Sequence, residues 1–477
     1  MTLIWLGDTP DLDPTVVGGK ARSINRMRSF GMPVPPAFVL TTIFCPEVIA
    51  NSGNLPDAVL TALRDGLHQL EESTGRRLGG TEDPLLVSVR SGGAMSMPGM
   101  MDTVLNLGMN DVVEQRIGAI TGDPAFAADT HRRFAEQFLR VVGTTATGDP
   151  WKDLVLAAEA VFASWDSPRA KAYRKHHGIS DDGGTAVTVQ AMVFGNYDDK
   201  SGTGVLFTRN PLTGDPEPYG EWLPRGQGED VVSGRFDALD LDVLREQLPD
   251  VHGQLLAAAA QLEKHGRDAQ DIEFTVESGR LWLLQTRSAK RSPQAAVRIA
   301  VRLAEEGVID PRDAVAMVTP AQIAAATAPH VDPRARKGAV LLASGLPACP
   351  GVASGRVVAT CEEAEDLVDE GVDVVLARPT TDPDDVSGMV VSAAIITEIG
   401  GSTSHAAVVS RELGHPCVVG CGQGTLASLV GRTVTVDGTS GEVYDGVLPL
   451  ADSHSAEHEA AVVLREWAAS MSTRVAQ

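Results

Sequence analysis

Hydrophobic positions along this chain switch repeatedly between a period of two and a helical period, and the switches mark its elements. Leu85 to Val89 is a short β-run, and the alternation of Val187, Val189, Ala191 and Val193 suggests a strand. Val205 to Thr208 adds another strand. Residues 51–80, 112–178 and 237–270 have helical composition, as does Ala21 to Phe30, which Gly31 closes. Residues 292–336 form an alanine-rich helical stretch containing Pro311, Pro320, Pro329 and Pro333, a composition typical of a connector. Beyond it, Val372 to Ala377, Ala393 to Thr397, Val418-Val419 and Thr433 to Val436 are short strands spaced by helical segments. After Val447 about two helical turns of clear pattern remain. These patterns predict an α/β (α+β) chain with domains at 1–291 and 340–447, a helical connector at 292–339 and a helical tail at 448–477.

One stretch breaks pattern in a way that points to chemistry. The apolar run Val390 to Ile396 gives out at Gly400 and Gly401, then come Ser402, Thr403, Ser404 and His405, then the helical AAVVSREL, stopped by Gly414 and Pro416. His405 is thereby placed at a helix N-terminus, among unpaired backbone N–H groups. That setting favours a neutral, nucleophilic imidazole and any anion the ring accepts. The competing reading makes Ser404 a simple N-cap and His405 an ordinary first-turn residue.

Three other stretches carry candidate phosphate ligands. Lys20 follows the Gly18-Gly19 turn, where backbone and ammonium both reach an anion. Arg90 ends a strand facing the loop Ser91-Gly92-Gly93, which runs on through Met97-Pro98-Gly99 to Asp102 and Thr103; a guanidinium there binds phosphoryl oxygens in a fork. In QDIEFTVESGRLWLLQTRSAKR, alternation puts Asp271 and Glu273 on one face, and Gln285 and Arg287 share a face on the return strand. A three-residue turn at Ser278-Gly279-Arg280 sets Glu273 opposite Gln285 and Asp271 opposite Arg287, and stacks Phe274 on Leu284 and Val276 on Trp282. A two-residue turn would set Glu273 against Leu284; the three-residue register is the one expected. Two carboxylates with an amide and a cation suit a Mg²⁺-nucleotide site, with Asp271 and Glu273 as metal ligands. A solvated sheet face with cross-strand ion pairs is the plainer alternative.

Charge sharpens this. The 477 residues hold 40 Lys+Arg against 63 Asp+Glu, a net −23, which repels nucleic acid and anionic membranes. A polyphosphate site must therefore be built from local cations. No apolar run reaches membrane-spanning length, and the N-terminus lacks a signal peptide's basic and apolar regions. The five cysteines are scattered and lack zinc spacing, which suggests reduced, cytoplasmic thiols.

The string GGSTSHAAVVSRELGHPCVVGC resembles the phosphohistidine signature of enzymes that use phosphoenolpyruvate. VVGGKARSINRMRSFGMPVPPAFVL and above all SMPGMMDTVLNLG resemble the pyruvate phosphate dikinase family. Ala21 and Ala37 stand where that family commonly has glycine. The resemblance implies an ATP-grasp-like nucleotide-binding domain followed by a swivelling β/α phosphohistidine domain. It implies that His405 is phosphorylated, with Arg90 and Arg287 assisting transfer. Lys20, Arg90, Gly92, Gly99, Thr103, Thr203, Asp271, Glu273, Gln285 and Arg287 would bind Mg-ATP, the 92–103 loop closing over the phosphates. Thr403 stands where plant members carry a regulatory phosphothreonine. The implied partners are ATP and inorganic phosphate. Pyruvate or phosphoenolpyruvate would be served by a barrel on a separate protein, since nothing here resembles that barrel. The rival is an ATP-dependent phosphohistidine carrier acting on another acceptor. The oligomeric state, a homo-oligomer included, stays open.

Overall fold

The computed structural model describes residues 3–9, 11–95, 97, 101–176, 178–181, 183–232, 238–327, 330–451 and 456–475. The chain divides into two compact units. The first is Met1–Gly202 with Phe274–Thr286, and the second is Thr203–Glu273 with Arg287–Gln477.

In the first unit, Leu3–Trp5, Ala37–Leu40, Ala186–Ala191, Val87–Gly92 and Thr103–Leu107 form an antiparallel sheet in that order. The middle strand, Ala186–Ala191, is buried at all six positions. Both faces of this strand are covered, so Thr188 and Gln190 are buried too. The expected helical regions are helical, and their ends are signalled locally. Asn110, Asp123 and Asp149 each accept an N–H from the first turn, and Gly75, Gly122 and Gly143 close helices in the left-handed region.

The hairpin Gln270–Glu277 and Arg280–Ser288 corrects the expected three-residue turn. Ser278 (φ 50°) and Gly279 (φ 76°) make a two-residue turn with both residues left-handed, the geometry that matches strand twist. Accordingly Leu281 and Leu283 are buried with Phe274 and Val276, while Trp282 and Leu284 are only half-buried. At the base the offset is one residue longer: the Ala289 N–H donates to Ala269 O (2.8 Å), and Arg287 meets Asp271 as expected. The second strand therefore gains one residue between tip and base, the count of a β-bulge.

The second unit holds two layers relevant to function. Of the connector prolines, Pro329 lies outside the described residues, and Pro293, Pro311, Pro320 and Pro333 each open a helix, where a missing N–H costs nothing. The first three of those helices share a core with Val205, Phe207, Ala460 and Leu464. Ala460 and Leu464 belong to a helix at Ala456–Val475, longer than the two turns the pattern suggests. Further on lies an eight-stranded sheet. Its centre is parallel, running Val352–Val358, Val374–Arg378, Ala394–Thr397, Cys417–Val419. Parallel strands need crossover helices, and His405–Leu413 is one of them.

Candidate functional site

In the first unit the two glycine turns read separately from sequence are one structure. The helix Pro14–Ser29 is interrupted at Gly18 (φ 78°, ψ 156°), a conformation open essentially to glycine alone. A Cβ there would lie 2.2 Å from the Gly92 carbonyl oxygen, and the Gly19 N–H donates to Gly93 O at 2.9 Å. Lys20 and Arg90 are thus carried by segments in backbone contact. Arg90 pairs across the sheet with Thr103 and Thr188, and its Nε is buried without a hydrogen-bond partner among the described residues. An unpaired guanidinium N–H in a protein interior is costly unless a ligand completes it. Gln285 is buried beside the same helix: the next residue, Thr286, donates its N–H to Ser23 Oγ, one turn on from Lys20. Gly99 lies outside the described residues.

In the second unit the hairpin base presents Asp271 and Arg287. Arg287 Nε donates to Asp271 Oδ2 at 2.7 Å, while Asp271 Oδ1 is buried with no partner among the described residues. Burial pushes the Asp271 carboxyl above its ordinary value, against the pull of Arg287. Glu273 is partly exposed, and Thr203 is buried in its strand. Among the described residues no group of three or more His, Cys, Asp or Glu could hold a metal. The orphaned Asp271 oxygen and Glu273 fit instead the sparse carboxylate set of a Mg²⁺ that completes its shell with phosphates and water.

His405 sits past the carboxyl end of Ala394–Thr397, where ligands gather on parallel sheets. Ser404 caps the helix, its Oγ accepting the Ala407 N–H, and Gly414 (φ 75°) ends it. His405 Nδ1 lies 3.1 Å from Thr381 Oγ1, which follows the neighbouring strand Val374–Arg378. His405 Nε2 is buried and without a partner among the described residues. Burial holds the imidazole below its ordinary pKa of 6.5, against the opposing charges of Asp382 and Asp385. Burial therefore favours the neutral ring, and the tautomer in which Nδ1 donates to Thr381 Oγ1 puts the lone pair on Nε2. Labelling of His405 from Mg-ATP should then stay flat as pH falls through 6.5 and decline only in more acidic solution. A single-turnover pH profile with its midpoint above 6.5 would contradict this.

The loop before His405 is held on three sides. Glu221, on Tyr219–Pro224, accepts from Ser402 Oγ and Thr403 Oγ1, and Tyr219 OH donates to Ser402 Oγ at 2.7 Å. Arg411 is buried and donates to Ser402 O (2.8 Å) and Ala348 O (3.2 Å). Thr403 is 4% exposed, so any modification there requires the Glu221 contact to open. Sequence reasoning missed Thr381, Glu221 and Arg411 because each acts across a tertiary contact. Arg411 lies inside the SHAAVVSREL string already singled out, and Glu221 inside Gly220 to Gly234, which also resembles the family.

The description "Pyruvate phosphate dikinase, AMP/ATP-binding domain" matches residues 47–250, which include Arg90, Gly92, Thr103 and Thr203. "PEP-utilising enzyme, mobile domain" matches residues 371–441, which include Thr381 and His405. The chain is 40% identical to a pyruvate, phosphate dikinase of Rhizobium meliloti over 91% of its length, and 40% identical to that of Clostridium symbiosum over 90%. It is 42% identical to pyruvate, phosphate dikinase 2 of Zea mays over 91%. It spans 56% of the length of each of these relatives. The chain thus carries a dikinase AMP/ATP-binding domain and a phosphoenolpyruvate-utiliser mobile domain. Among the described residues no helix is long and apolar enough to cross a membrane.

Proposed function

We propose that this chain performs the ATP-side half of a dikinase reaction, with His405 as the phosphoryl carrier. The observation that carries the reading is the neutral imidazole at a helix N-terminus, its Nδ1 engaged by Thr381 and its Nε2 left without a partner. Nε2 attacks the β-phosphorus of ATP and AMP leaves, so the ring holds the β-phosphoryl with the γ attached. Inorganic phosphate then takes the γ-phosphoryl as pyrophosphate, and the β-phosphoryl stays on His405.

Each ATP-side residue has a role in this scheme. The Gly18–Gly19 and Gly92–Gly93 turns supply close backbone to the polyphosphate, with Lys20 and Arg90 as cations; Thr103, Thr203 and Gln285 hydrogen-bond the nucleotide. Arg287 faces the charge that develops on the moving group. Mg²⁺, held by Asp271 and Glu273 together with the phosphates, would neutralise part of that charge. The names of the relatives suggest pyruvate as the final acceptor. Because Nε2 is buried, transfer requires the histidine helix to leave this arrangement, with the Glu221 contacts breaking and the chain before Val340 swivelling.

ATP labelled separately at the β and γ positions tests the scheme. With inorganic phosphate present, β-label should stay on the protein while γ-label leaves as pyrophosphate and AMP appears. Release of ADP with γ-label on the protein would mean an ordinary kinase-type transfer and would sink the proposal.

A further inference from the structure

The first unit contains a cavity of about 180 Å³ that none of Lys20, Arg90, Thr103 or Gln285 lines. Its volume is comparable to an interior space that holds a benzene-sized molecule, about 150 Å³. Three aromatic rings edge it. Phe126 stands edge-on to Phe194 (centroids 5.7 Å) and to Tyr197 (6.0 Å). The fourth wall is the tip of the hairpin, with Glu277. Glu277 Oε1 accepts the Phe194 N–H at 2.8 Å, and its second oxygen makes no hydrogen bond among the described residues. The tip is fixed in place: Ser278 Oγ donates to Asp198, and the Gly279 N–H donates to Lys200 O. At the rim Arg76 pairs with Asp83 at 3.3 Å; the charges of Arg76 and Arg280 also act on Glu277, but neither forms a salt bridge with it among the described residues.

The geometry points to a binding site for a small organic cation, a primary amine on an apolar body, with the ammonium on Glu277 and the body among Phe126, Phe194 and Tyr197. Ring faces attract a cation, and a half-buried carboxylate gains from a partner of opposite charge. The field of a chain with net charge −23 favours the same sign of ligand. Burial also raises the Glu277 carboxyl above its ordinary value, a cost that a bound cation relieves.

Benzylamine is a suitable probe, with benzyl alcohol as its neutral counterpart, each followed by ligand-observed NMR on the full chain. Benzylamine should bind roughly tenfold tighter than benzyl alcohol, the difference expected of one desolvated charge pair with ring contacts. Glu277→Gln keeps an acceptor for the Phe194 N–H and should bring the two probes level. Phe126→Leu should weaken both, and saturating Mg-ATP should displace neither. Equal binding of the two probes to the parent chain, no binding of benzylamine, or a benzylamine preference that survives Glu277→Gln would each overturn the site. Displacement by Mg-ATP would also overturn it, by making the cavity part of the nucleotide site. A melting temperature of the Glu277→Gln chain matching the parent confirms that the comparison is made on folded protein.

Discussion

His405→Ala should lose all acid-labile, base-stable label from Mg-ATP while still binding the nucleotide. Phosphohistidine has that stability profile, and no other side chain at the helix N-terminus can mimic it: Ser402, Thr403 and Ser404 would give acid-stable esters. Ala is a better helix former than His, and Ser404 still caps the first turn, so folding should be kept. What the change removes is the lone pair on Nε2 and the hydrogen bond to Thr381. The measurement is filter-bound label after acid and after base, alongside equilibrium nucleotide binding. Label that survives in the variant with the same acid lability would place the carrier elsewhere.

Gly18→Ala should be the most damaging single methyl in the first unit. The backbone at φ 78°, ψ 156° costs an L-residue about 1–3 kcal/mol. The added carbon would also sit 2.2 Å from the Gly92 carbonyl, a backbone atom that cannot rotate away. Relief requires the two glycine turns to separate, which breaks the Gly19-to-Gly93 hydrogen bond. Together these put the loss near 3 kcal/mol, with overpacking and strain both contributing. Because Lys20 and Arg90 depend on that contact for their placement, nucleotide affinity should fall by more than the stability change alone explains. Chemical denaturation and nucleotide titration of the variant check both parts. A parent-like affinity would mean that the turns do not build the phosphate site. Gly31→Ala is the control, since Gly31 also has positive φ but meets nothing within 4 Å.

The histidine helix was legible because its signals are local: glycines that end a strand, a hydroxyl cap, a period of 3.6, and a closing glycine. The dual glycine turns were legible as turns but not as partners, since nothing in a sequence says that Gly18 and Gly92 touch. The hairpin was half right for a physical reason. At its base an ion pair between Asp271 and Arg287 sets the register, and charge alternation shows that pair. At its tip the preference of twisted strands for a left-handed two-residue turn wins, and the mismatch is absorbed between the ends. Thr381 lies 24 residues before His405 and reaches it only because two parallel strands are neighbours. Glu221 sits in a different part of the chain from the loop it holds. The helix Ala456–Val475 packs on the connector helices through Ala460, Val463, Leu464 and Trp467, and that tertiary contact extends it beyond the two turns legible by pattern.

The enclosed Nε2 has a consequence for the direction of events. The bare ring fits its surroundings with that nitrogen covered, whereas a ring carrying a tetrahedral, doubly charged group on the same atom does not. Phosphorylation of His405, as proposed, would therefore make this arrangement, in which Nε2 is buried, unavailable to the histidine helix. In the proposed scheme the added group would disfavour the return path, so a charged carrier would be driven to travel and a discharged one would be free to settle back.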